Sequence, residues 1–171
     1  QAICPEANIN NTDDLKNLYP QAEVIPLTKS YRSTFEIMRF AASILNKNEE
    51  PNTFLRHGEE VVVSKNTNPA EEVIKILREL PPNYNTVGIL LPTIAEAKSF
   101  HEKIKSHAKL IDAESNNFEQ GIMVMAAPFA KGLEFDVVIC PAFKTPKDFK
   151  EQKLFYLICT RALHRLFVIE E

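Results

Sequence analysis

Three short segments of this chain combine charged side chains with the local punctuation that could hold them against a phosphorylated ligand. In the first, Thr28-Lys29-Ser30-Tyr31-Arg32-Ser33-Thr34 follows a short apolar run, Val24 to Leu27, and leads into a helical pattern. A guanidinium placed where a strand hands over to a helix start suits phosphate oxygens, helped by the helix N-terminus. A plain surface arginine would look the same. In the second, Ala130-Lys131-Gly132-Leu133-Glu134-Phe135-Asp136 sits between two strand candidates. Gly132, one of four glycines, allows a tight backbone path, while Lys131 and Glu134 put a cation and an acceptor on one loop. A turn with a surface ion pair is the alternative. In the third, Leu154 to Leu166, Arg161 ends an apolar helix directly before the last strand candidate. It could serve as a charge-stabilising finger for a phosphoryl group, or it could cap the helix together with Arg165.

The elements that must position these segments alternate along the chain. Strand candidates are Val24 to Leu27, Glu60 to Ser64, Thr86 to Leu91, Gly121 to Met125, Asp136 to Cys140 and Leu166 to Ile169. Several are continuously apolar, as strands covered on both faces are. Between them lie helical stripes. Ser33 with Glu36 has capping-box spacing ahead of Ile37, Phe40, Ala41, Ile44 and Leu45. Asn68, Pro69 and Glu71 open a helix that turns Val73, Ile74, Leu77 and Leu80 inward and stops at Pro81-Pro82. Thr93 and Glu96 repeat the box before Ala97, Phe100 and Ile104, and a last helix is expected from about Asp148 to Ala162. Alternating strands and helices imply a three-layer α/β fold with a mainly parallel sheet. In such sheets ligands lie beyond the carboxyl ends of the strands, so the site is expected in the loops that leave them.

Composition narrows the function classes. A chain of 171 residues, 44% hydrophobic, can bury one ordinary core, so a single domain over 1–171 is expected. No apolar run is long enough to span a bilayer and the first ten residues do not resemble a signal peptide, which points to a cytoplasmic protein without membrane contact. Cys4, Cys140 and Cys159 are scattered, and the four histidines lack metal-ligand spacing. A net charge of −3 argues against gripping nucleic acid by bulk electrostatics, so any DNA contact must be local. Two basic stretches could supply one: Lys98, Lys103, Lys105 and Lys109, and Lys144, Lys147, Lys150 and Lys153. The same spacing fits solvated helix faces.

Taken together and in order, the three charged segments resemble the fourth, fifth and sixth motifs of the UvrD/Rep family of superfamily 1 helicases, over about Gln1 to Ile169. The resemblance implies the C-terminal RecA-like domain of an ATP-driven 3′ to 5′ DNA helicase or translocase. It implies that Arg32 and Arg161 reach the γ-phosphate, Tyr31 stacks on adenine and Glu134 bonds the ribose. Both arginines, awaiting a phosphate from a partner domain, are expected to be solvent-accessible and unpaired. Gly132 belongs to the nucleotide side of the fifth-motif loop, and Lys131 would lie near DNA. Gln1-Ala2-Ile3 looks like the tail of the third motif, whose glutamine senses the γ-phosphate, so the chain is expected to be cut from a longer protein. Gly58, Gly88, Gly121 and Gly132 begin no Walker A pattern and no Walker B acidic pair follows a strand. The resemblance therefore assigns the phosphate cradle and Mg2+ to a Walker-bearing N-terminal domain, and makes the chain alone inactive. Two departures stand out. Ala126 and Pro128 replace the threonine and histidine that help hold single-stranded DNA, and the interval from Leu91 to Gly121 cannot hold the usual inserted subdomain. Both resemble the HelD or helicase IV branch, some of whose members act on RNA polymerase. An ATP-gated module that remodels RNA polymerase is thus the alternative.

Overall fold

The computed structural model describes residues 16–21, 23, 32–45, 56–113, 115 and 120–170. Its elements run α1 (Phe35–Ile44), β1 (Val62–Lys65), α2 (Pro69–Glu79), β2 (Thr86–Leu91), α3 (Ile94–Ile104), β3 (Lys109–Ile111), β4 (Gly121–Ala126), β5 (Phe135–Phe143), α4 (Phe149–Cys159) and β6 (Ala162–Glu170). Six strands form one sheet in the order β1-β6-β5-β2-β4-β3, and every pairing is parallel. The strand candidate Val24 to Leu27 lies outside the described residues.

The continuous apolar runs are explained by two cores, one on each face of the sheet. Successive strand residues point to opposite faces. Val87, Ile89 and Leu91 join Val124, Val137, Ile139, Phe167 and Ile169 beneath α2 and α3. The intervening Leu90, Met123, Met125, Val138, Leu166 and Val168 pack beneath α1 and α4. The expected stripes of α1 and α3 are largely buried, with Ile37, Ala41 and Ile44 and with Ala97, Phe100 and Ile104, whereas on α2 Val73 and the unexpected Ile76 are buried and Ile74, Leu77 and Leu80 only half-buried.

The strands exceed or escape their apolar signals in three places. β5 continues through Pro141 to Phe143, with a register irregularity after Cys140. Its pairing with β2 extends only to Ile139, so at Pro141 one neighbour, β6, remains and a missing N–H is tolerated. β6 starts at Ala162, so α4 ends at Cys159 and the expected helix to Ala162 is too long by three residues. Leu163, His164 and Arg165, at the start of β6, are half-buried or exposed and carry no apolar run. β3 is three residues long with no residue fully buried, too short for periodicity to show.

Candidate active site

The strand registers decide where the site can be. Phe135, first in β5, pairs with Ala162, first in β6, and the Phe135 N–H donates to the Arg161 carbonyl at 3.0 Å. Glu134 and Arg161 thus immediately precede two adjacent parallel strands, at the amino edge of the sheet. Arg32, from a segment about a hundred residues away in sequence, forms an ion pair with Glu134 through Nε and Oε1. The expectation that the site lies in loops leaving the carboxyl ends is therefore corrected. That rule describes ligands cradled by a sheet's own loops; side chains offered to a ligand held elsewhere can sit at either edge.

Two guanidinium groups and one carboxylate meet here. The Arg161 residue is only 3% exposed, so its expected solvent accessibility is also corrected. Its Nε donates to the Leu157 carbonyl (3.3 Å) and Nη1 to the Leu133 carbonyl (3.2 Å), while Nη2 bonds no described residue. Leu157 lies in the last turn of α4, so Arg161 caps that helix, as one of the sequence readings allowed. Yet no carboxylate among the described residues makes a salt bridge with it. Burial, and then the neighbouring charge of Arg32, lower the Arg161 pKa, while Glu134 and Tyr156 act in the opposite direction. Arg32 was expected to be unpaired; instead its pair with Glu134 lies at the surface, with side chains 45% and 39% exposed. A half-exposed pair of this kind is weak and exchangeable.

Lys131 and Gly132 are exposed in the turn that carries the chain from β4 back to β5. Gly132 has φ +88°, which L side chains rarely adopt, so the glycine is required by the turn. Gln1 and Tyr31 lie outside the described residues. Two residues escaped sequence reasoning. Ser33, read as a helix cap, is buried and donates from Oγ to the Ala162 carbonyl at 2.7 Å, tying the Arg32 segment to the start of β6. Tyr156 is half-buried one turn before Arg161; burial raises its pKa and the Arg161 charge opposes this. No local pattern separates Tyr156 from the apolar residues around it.

The cap of α1 is Thr34, whose side chain accepts from the Ile37 N–H. Glu36, expected to complete a box with Ser33, instead accepts from His57 Nδ1 (2.7 Å) and the Gly58 N–H (2.9 Å). Burial would raise its pKa, but hydrogen bonds from His57 and the backbone N–H groups of Glu36 and Gly58 outweigh it and lower the pKa from 4.5 to about 2. A depressed carboxylate stabilises the fold above its unfolded pKa, and that stability is lost as pH falls toward the folded value. Glu36→Gln is expected to cost about 1–3 kcal/mol at neutral pH. The difference from the parent chain should shrink as pH falls from 4.5 toward about 2, which urea titrations across that range would show. An equal difference at every pH would exclude the charge as its cause.

A cleft of about 860 Å³ lies at the opposite, carboxyl edge, lined in part by Lys65, Leu91, Phe100, Pro141, Ala142 and Glu170. It includes none of Arg32, Glu134 and Arg161. Among the described residues no cluster of histidine, cysteine, aspartate and glutamate could hold a metal, and no helix is long and apolar enough to cross a membrane.

The six-stranded parallel sheet between two helical layers, with this strand order, is a RecA-like α/β domain. No family model and no curated protein matches the chain. Among solved structures it is similar to the C-terminal domain of a possible DNA helicase from Lactobacillus plantarum WCFS1, with a TM-score of 0.68 and 29% identity over 82% of this chain and 87% of that one. The PRRSV helicase aligns more loosely (TM-score 0.38, 16% identity, 84% of this chain and 23% of that one), as does the UvsW helicase of bacteriophage T4 (0.41, 9%, 93% and 60%). The first of these likenesses gives the fold as that of a helicase C-terminal RecA-like domain.

Proposed function

We propose that this chain is the arginine-bearing half of a shared ATP site in a DNA helicase or translocase, working with 3′ to 5′ polarity. The observation that supports this reading best is the meeting of Arg32, Glu134 and Arg161 at one sheet edge. Two cations lie in electrostatic reach of each other, and the one carboxylate nearby is paired with Arg32. Such a group has a net positive charge at a partly dehydrated surface, where a phosphate would relieve the repulsion.

Arg161, held by two carbonyls, would present its remaining N–H groups to the γ-phosphate as charge develops. Arg32 would leave Glu134 for phosphate oxygens, and Glu134 would then accept from the ribose. Gln1, Tyr31 and Gly132 are proposed on the same nucleotide, and Lys131 near DNA. The residues present fit phosphate and ribose but offer no phosphate-binding loop, so ATP and Mg2+ are assigned to a Walker-bearing N-terminal domain. Closure of the two domains would couple hydrolysis to movement along DNA. We place the protein nearest the UvrD/Rep type and in the cytoplasm.

The remodelling alternative, an ATP-gated module of HelD type acting on RNA polymerase, draws on one observation. Ala126, at the position that would hold DNA in the resembling family, is buried and cannot reach a strand. Unwinding assays on the protein containing both domains distinguish the two readings.

The purified chain is expected to show no ATP turnover above background and only weak ATP binding. Turnover that a substitution within this chain abolishes would overturn the half-site reading.

A further inference from the structure

The second lysine stretch acquires a defined setting beyond the carboxyl edge of the sheet, opposite the edge that holds the arginines. β5 delivers the chain to the carboxyl edge, and α4 carries it back to the start of β6. With 11 residues α4 is about 16 Å long, at a rise of about 1.5 Å per residue. Its first residue, Phe149, is 62% exposed, one of few large apolar side chains so placed among the described residues. The Lys153 ammonium sits over its ring, 4.4 Å from the centroid. Neighbouring carboxylates do not neutralise the patch fully: Asp148 accepts from the Glu151 N–H, and Glu151 from the Lys147 N–H. Lys147 and Lys150 are exposed and form no ion pair with a described residue.

We propose that Phe149, with Lys147, Lys150 and Lys153, is a contact for single-stranded nucleic acid, in which an unpaired base stacks on the open face of the Phe149 ring and the lysines meet flanking phosphates. An exposed ring backed by an ammonium accepts any base, because every base offers a π-face, and lysines arrayed beside it follow the backbone. Duplex bases are already stacked, so the ring selects unpaired strands. The helix N–H groups take no part, since Asp148 occupies the cap. The contact would also place nucleic acid on the same rigid helix that ends at Arg161, so strand engagement and the proposed γ-phosphate contact would sit at opposite ends of one rod.

The test is fluorescence anisotropy of a labelled oligothymidylate with this chain, at low salt and without nucleotide. Phe149→Ala is expected to weaken binding by about tenfold, and Phe149→Trp to retain it, with duplex binding unaffected by either. Each of Lys147→Ala and Lys150→Ala should reduce the slope of log affinity against log salt by about 0.7. Because Phe149 is exposed, these variants should melt with the parent. No binding by the parent chain, or unchanged affinity in Phe149→Ala, would overturn the proposal. Without nucleotide present, that failure would leave the ATP-site reading untouched, and failure of the ATP-site reading would not alter these affinities.

Discussion

Replacing Arg161 with alanine in a protein that joins this chain to a Walker-bearing domain is expected to lower kcat for ATP hydrolysis by about 10³, with a much smaller change in ATP affinity. The expectation follows from what holds the side chain. Its two carbonyl bonds fix the guanidinium at the end of α4, and no described carboxylate forms a salt bridge with it. An arginine whose purpose was only to cap α4 would cost stability when removed, by roughly 1 kcal/mol, and leave turnover per folded molecule nearly intact. Arg161→Lys separates geometry from charge. A lysine keeps the positive charge but cannot donate in a fork, so it should recover little of the lost rate. A loss of tenfold or less in Arg161→Ala would reduce the residue to a helix cap.

The largest effect on stability is expected at Phe135. Its ring is fully buried and lies against β2 at Gly88, where an added Cβ would come within 2.8 Å of ring atoms. Phe135→Ala removes that ring from a core closed on both sides and should destabilise the chain by about 3–5 kcal/mol. For a domain of this size that is a fall in Tm of roughly 10 °C or more. Gly88→Ala should cost about 1–3 kcal/mol by overpacking. The two are in contact, so their effects should not add: with the ring gone, alanine at 88 finds room and its cost should largely disappear. Urea unfolding of both single variants and the double variant checks this. Additive losses would mean that Gly88 is there for backbone reasons and not to admit the ring. Since the Phe135 N–H holds the Arg161 carbonyl, loosening this point should also blur the site.

What the sequence discloses and what it hides divide along the range of the forces involved. β2 is legible to the residue because Val87, Ile89 and Leu91 feed one core and Leu90 the other, and the Thr93–Glu96 capping box forms as its spacing predicts. Both signals are local. Ser33 and Glu36 show the same box spacing, yet the partners that claim them, the Ala162 carbonyl, His57 and Gly58, are 129, 21 and 22 residues away. Nothing in the window around Ser33 reveals them. The charged residues of the candidate site, Arg32, Glu134 and Arg161, are singled out by type and by the turns they occupy, but each alone also fits a surface arginine, a surface ion pair or a helix cap, and only the resemblance joins them. Their edge of the sheet was not legible, because it depends on β5 and β6 starting together, and the first residues of β6 carry no apolar run. The surface pairing of Arg32 with Glu134 was hidden for the same reason.

The half-site reading is tested most directly by comparing a transition-state analogue with a ground-state one. Affinities for ADP with aluminium fluoride and for a non-hydrolysable ATP analogue would be measured on the two-domain protein, with and without Arg32→Ala and Arg161→Ala. Groups that act on the charge developing at the γ-phosphoryl must favour the first ligand over the second. Each substitution is expected to weaken the fluoride complex by about 10² or more and the ground-state analogue far less. Equal effects on the two ligands, or none on either, would contradict the half-site reading.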